Sequence, residues 1–153
     1  MPDAVSGGLP IVLIPGLTCS ARLYAEQIPA LWHFGPVMAA DHTRDDSMAA
    51  IARRILAAAP PRFALAGLSM GGYIAFEIVR QAPQRVASRP AAIACPTLVL
   101  VGEGDEATPP ELAREIAAAI PGSHLVMIAD SGHLSTLEQP QAVTAALVEW
   151  MRS

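Results

Sequence analysis

Phe63-Ala64-Leu65-Ala66-Gly67-Leu68-Ser69-Met70-Gly71-Gly72 is the stretch from which the rest of the chain can be read. A short apolar run ends at Gly67, and a helical pattern opens directly after Ser69. The glycines have a steric reason. A strand that turns sharply into a helix holds Ser69 in a strained conformation, and a side chain at 67 or 71 would meet neighbouring backbone. The turn lifts the Ser69 hydroxyl to the C-terminal edge of a sheet, above a helix N-terminus whose unpaired N–H groups favour a developing oxyanion. The G-x-S-x-G pattern is common by itself; its place between a buried strand and a helix makes it a nucleophile candidate.

Outward from this turn, four more apolar runs recur: residues 10–16, 37–41, 97–102 and 124–129, beside 63–67. They are continuous rather than alternating, as expected of strands buried on both faces of a parallel sheet. Helical patterns separate them. Met48, Ile51, Ala52, Ile55 and Leu56 share one face after the cap at Asp46-Ser47. Thr108-Pro109-Pro110-Glu111 reads as a capping box, with Thr108 at the cap, Pro109 first in the helix and Glu111 third. Leu112, Ile116 and Ile120 follow until Pro121-Gly122, and a last helix carries Val143, Leu147, Trp150 and Met151. A first helix over about 21–32 is interrupted by Pro29. Five such β–α steps predict a three-layer, doubly wound, mostly parallel α/β sheet of five strands.

A serine needs a base, and the base an orienting acid. Among His33, His42, His124 and His133, His133 lies in a loop just past the last strand, at the edge where Ser69 emerges; His42 follows the second strand on that same edge but comes too early for the usual Ser, Asp, His chain order. Asp105 sits in the loop leaving the fourth strand, on the same edge, with Glu103 and Asp130 as rival acids. The loop after the first strand, Gly16-Leu17-Thr18, supplies a second oxyanion donor, so the backbone N–H groups of Leu17 and Met70 form the expected pair.

Composition excludes other classes. With 153 residues, 52% hydrophobic, 16% charged and a mean hydropathy of +0.38, this is no disordered chain. Net charge is -4, from 14 acids against 10 bases, and the arginines form no patch that could neutralise phosphates. Neither nucleic acid nor an anionic membrane is expected as a partner. Cys19 and Cys95 lack metal-ligand spacing and read as reduced core residues. Met1–Pro10 shows no signal-peptide pattern, and no run approaches a membrane span, so a cytoplasmic location is expected.

Taken together, these stretches resemble the α/β-hydrolase fold family. The resemblance runs through Ile11-Val12-Leu13-Ile14-Pro15-Gly16-Leu17, Gly67 to Gly72, Pro96 to Gly102 with Asp105, Ser131-Gly132-His133-Leu134, and Glu138-Gln139-Pro140. It implies strand order 2-1-3-4-5, one minimal domain over 1–153, a Ser69–His133–Asp105 triad in the family's chain order, and ester hydrolysis without metal or organic cofactor. One departure is large. Only 36 positions separate Ser69 from Asp105, where relatives carry a further strand and a helical cap, and Ala82 to Pro90 runs almost directly into the next strand. A cap-less site implies small, short-chain ester substrates, and the exposed apolar surface a homodimer. Competing readings are acyl transfer, thioester hydrolysis or perhydrolysis by the same triad, and an inert binding module. A flavin binder is disfavoured, because Pro15-Gly16-Leu17-Thr18 offers a single hydroxyl before Cys19.

Overall fold

The computed structural model describes residues 8–86 and 96–153. Cys95, the first seven residues of the N-terminal reading and the 87–90 part of the shortened interval lie outside them. The elements gather into two compact units: residues up to Ala21 with Leu31–Val86, and Arg22–Ala30 with the chain from 96 onward.

In the first unit, strands β1 (Ile11–Ile14), β2 (Val37–Ala39) and β3 (Ala64–Gly67) pair in parallel in the order β2-β1-β3, with Ile11 opposite Val37 and Ala64. Every residue of central β1 is at most 3% exposed, which is why its sequence shows no polar alternation. Ser47 caps α2 (Met48–Ala58), its hydroxyl accepting from the Ala50 N–H at 3.3 Å. Helix α2 packs on α3 (Met70–Gln81), and α3 packs on β3 and β1 through its buried Gly71, Ile74 and Ile78. Each such isoleucine stabilises the unit by roughly 1.5–3 kcal/mol.

The chain leaves α3 through a short 3₁₀ turn, Pro83–Arg85, and Val86 forms a parallel bridge with Phe63. Arg85 closes this corner. Its guanidinium donates to the carbonyls of Leu56, Ala59 and Pro60, each at 2.7 Å, and of Pro61 at 3.3 Å, while lying 5.7 Å from the Phe63 ring centre. The carbonyl of Leu56, one of the last in α2 that no further turn can satisfy, and the carbonyls just past the helix end thus share one planar cation.

In the second unit, β4 (Leu98–Gly102) and β5 (His124–Ile128) pair in parallel from Leu98 opposite His124 to Gly102 opposite Ile128. Helices α4 (Pro110–Ala119) and α6 (Pro140–Arg152) pack on both strands, and the single turn α5 (Ser135–Glu138) precedes α6. The segment Arg22–Ala30 belongs here too, through the fully buried Gln27, whose amide donates to the Thr136 carbonyl at 3.1 Å.

The five strands fall where the apolar runs place them, and within each unit the strands pair as expected, 2-1-3 in the first and 4-5 in the second. Two local expectations are corrected. Residues 21–32 form no single helix: a 3₁₀ turn, Ala21–Tyr24, and a four-residue helix α1, Ile28–Leu31, stand on either side of the break. Pro29 lacks the N–H a continuous helix needs there and is tolerated only in a first turn. Helix α4 is not capped by Thr108: its cap is Pro109, which offers no side-chain hydrogen bond, and the helix starts at Pro110.

Candidate active site

Ser69 and both oxyanion candidates lie in the first unit, Asp105 and His133 in the second. Ser69 stands between β3 and α3 with φ 55° and ψ −121°, a conformation that costs a non-glycine residue about 1–3 kcal/mol. The surroundings hold it there. The Leu68 N–H donates to the Ile14 carbonyl at 3.2 Å, the Gly71 N–H to Leu68 at 2.9 Å, and the Gly72 N–H to the Ser69 carbonyl at 2.8 Å. A Cβ on Gly67 would collide with the Gly71 carbonyl, and one on Gly71 with the carbonyl of Ile14. The steric reading of the glycines is therefore visible atom by atom. Met70 opens α3, so its N–H is among the first-turn donors without an intrahelical acceptor. A Cβ on Gly16 would stand 3.3 Å from the Leu68 carbonyl and 3.4 Å from the Ser69 Cβ. The Gly16-Leu17 turn therefore approaches the serine closely.

In the second unit the loops after β4 and β5 bring Asp105 and His133 together. Gly104 N–H donates to the Ser131 carbonyl at 2.8 Å, and a Cβ on Gly102 would strike the carbonyls of Ser131 and Gly132. Across this seam the His133 Nδ1 lies 3.1 and 3.0 Å from the two Asp105 carboxylate oxygens. Asp105 Oδ1 also accepts from the N–H groups of Ala107 at 2.9 Å and Thr108 at 2.8 Å, and Oδ2 from the Thr108 hydroxyl at 2.7 Å. Burial pushes the Asp105 carboxyl up. The Thr108 N–H, the His133 ring and the Thr108 hydroxyl together outweigh it and hold the group below its ordinary range. An ionised carboxylate only accepts, so a neutral His133 ring facing it carries its proton on Nδ1.

The rival acids are placed otherwise. Glu103 and Asp130 are exposed, and Asp130 is a left-handed turn residue with φ 52°. Among the other histidines, His124 is exposed at the start of β5, and His42 is buried after β2 in the first unit.

Two supporting residues escaped the sequence reading. Thr108 reads from the sequence as a helix cap, although a hydroxyl three residues past a loop acid is equally placed to serve that acid, as it does here. Glu138 takes both N–H groups flanking the histidine, Gly132 at 2.7 Å and Leu134 at 2.8 Å. Its partners are main-chain atoms, which leave no trace in side-chain identity.

No group of three or more His, Cys, Asp or Glu that could hold a metal occurs among the described residues, and no helix there is long and apolar enough to cross a membrane. Cys19 is half-buried and not in a disulfide. A cleft of about 300 Å³ in the first unit is lined by residues such as Met38, Asp41, Arg44 and Ile55 and includes none of the five site residues.

Comparison with known proteins gives a consistent picture. Residues 76–153, half of the chain, match a family model described as TAP-like protein, an α/β-hydrolase family. Over 61 residues the chain is 43% identical to the Mycobacterium tuberculosis protein BpoC, whose name calls it a non-heme bromoperoxidase. That stretch is 40% of this chain and 23% of the relative's length. An enol-lactonase from Burkholderia xenovorans superposes with a TM-score of 0.85 at 18% identity, covering 99% of this chain and 94% of that one. An esterase from Thermogutta terrifontis gives 0.80 at 23% identity, covering 95% and 90%. At these identities the superpositions establish the fold alone.

Proposed function

This chain belongs to the α/β-hydrolase family, and from that premise we propose that it is a serine hydrolase acting on small, short-chain carboxylic esters. The observation that carries the reading is the backbone of Ser69. A φ of 55° at a non-glycine residue is held by two glycines and the end of β1, and strain kept in place by its surroundings is characteristic of a reacting group.

The chemistry follows from the groups available. Ser69 Oγ attacks the ester carbonyl while His133 Nε2 takes its proton. The Asp105 carboxylate stabilises the imidazolium, and the N–H groups of Leu17 and Met70 receive the oxyanion. His133 returns the proton to the leaving alcohol, and water then releases the acyl group by the same steps. Each oxyanion donor contributes about 2.7–4 kcal/mol of transition-state stabilisation. Exposed Leu17, Tyr73 and Phe76, in the loop after β1 and the first turns of α3, suit a short apolar acyl chain rather than an enclosed long one.

The similarity to BpoC favours one variation, in which peroxide replaces water as acyl acceptor; comparing acid and peracid yields with hydrogen peroxide present decides it. The main reading is tested by intact mass after treatment with a fluorophosphonate. One covalent adduct is expected on the parent and none on Ser69→Ala or His133→Ala. A folded parent that stays unlabelled overturns the enzyme reading and leaves the inert binding module.

A further inference from the structure

We propose that Thr108 is a positioning residue for the proposed reaction, its hydroxyl fixing the Asp105 carboxylate and the His133 ring in one arrangement. The inference rests on the serine-hydrolase reading for its catalytic consequence, but its geometry stands within the second unit alone.

The ordinary role for this threonine, capping α4, is vacant. The cap is Pro109, and no side chain bonds there. The hydroxyl points instead to the acid and the base. Thr108 Oγ1 is 2.7 Å from Asp105 Oδ2 and 3.2 Å from His133 Nδ1. A hydroxyl has one proton, so only one of these contacts can be a donation. The shorter one is: 2.7 Å matches a charge-assisted bond to a carboxylate, and an ionised carboxylate has no proton to offer in return. The Thr108 oxygen is then an acceptor toward His133, and Nδ1–H is shared between it and Asp105. Were Nδ1 unprotonated, its lone pair would face the carboxylate at 3.0 Å. It could be satisfied only by withdrawing the threonine proton from Oδ2. The three groups therefore support a single proton arrangement, and it is the one that leaves Nε2 basic.

Position 108 also acts through its backbone, whose N–H reaches Oδ1 at 2.8 Å. One residue thus grips both carboxylate oxygens. Asp105 is 6% exposed, so little water competes for that grip.

The test compares Thr108→Val, which keeps shape and backbone donor but loses the hydroxyl, with Thr108→Ser, which keeps the hydroxyl. The first readout is the downfield proton resonance of His133 Nδ1–H, assigned by its loss in His133→Gln. In Thr108→Val it is expected to move and exchange faster with water, and in Thr108→Ser to return. The second is the fluorophosphonate labelling rate of Ser69, expected to fall about tenfold in the valine variant and recover in the serine variant, the usual scale for one hydrogen bond to a charged group. A purely structural threonine would alter melting temperature in both variants and move neither readout. A valine variant with the parent's resonance and rate overturns the proposal. If the parent itself is not labelled, the enzyme reading falls and the resonance alone decides the role of Thr108. Should the valine variant not fold, the parent's Thr108 hydroxyl proton decides: protection from exchange and a cross-peak to His133 Nδ1–H support the assignment, and their absence refutes it.

Discussion

Adding one methyl group at Gly71, and in parallel at Gly72, measures how tightly the serine turn is held. The two glycines are neighbours in the first turn of α3, so propensity treats them alike. Their surroundings do not. A Cβ at 71 would stand 2.8 Å from the Pro15 carbonyl oxygen and closer still to that of Ile14, whereas a Cβ at 72 finds only the Gly67 carbonyl at 3.8 Å. The obstructing atoms at 71 are main chain and cannot rotate away, so the cost sits at the top of the overpacking range, about 3 kcal/mol. At 72 alanine simply replaces a helical glycine and stabilises by about 0.5–1 kcal/mol. The propensity gain is common to both sites, so the variants should differ by the steric cost alone, about 3 kcal/mol, in urea denaturation. With the same propensity gain offsetting the clash to about 2–2.5 kcal/mol, Gly71→Ala should melt about 4–10 °C below the parent, at roughly 2–4 °C per kcal/mol for a chain of this size. Fluorophosphonate labelling should fail in Gly71→Ala and persist in Gly72→Ala. Equal stability of the two would refute the close approach of β1 and α3 on which the Ser69 conformation depends.

Acidification should expose the hold on Asp105. A carboxyl whose folded-state pKa is lowered stabilises the fold above its unfolded value, about 3.9, and that contribution disappears as pH falls through the folded value. Asp105→Asn should therefore lose stability less steeply than the parent below about pH 4. Asp41 and Glu77, held at about 2 chiefly by hydrogen bonds from Thr43 and Arg80, titrate in both proteins and cancel from the comparison; identical slopes would contradict the assignment. Arg85→Lys keeps the charge but lacks the planar fork that serves four carbonyls, and a loss of about 1–2 kcal/mol in urea is expected for one or two hydrogen bonds lost; an unchanged midpoint would show the fork to be dispensable. Ser47→Ala removes the 3.3 Å cap of α2 and should cost about 0.5–1 kcal/mol, read as a small drop in the urea midpoint with unchanged slope.

The strands were legible because burial on both faces writes itself as unbroken apolar runs, and Ile11–Ile14 is the clearest case. The glycines around Ser69 were equally legible, since only steric exclusion explains two of them at that spacing. What stayed hidden depends on which of two local partners a polar group chooses. Thr108 could cap a helix or serve a carboxylate, and the two cannot be separated without knowing where Asp105 and His133 lie. Arg85 was silent for a related reason: its acceptors are carbonyls of residues 56 to 61, which every sequence possesses.

Glu138 has a practical corollary. Because it grips peptide groups on either side of His133, the turn's shape is insured against changes in most neighbouring side chains. Leu134 could be exchanged for residues of other size or polarity to retune the surroundings of the imidazole without displacing it. Gly132 is the exception, since a methyl there would press within 3.2 Å of the carboxylate. The histidine turn is thus a natural site for randomisation in directed evolution, with positions 132 and 138 left untouched.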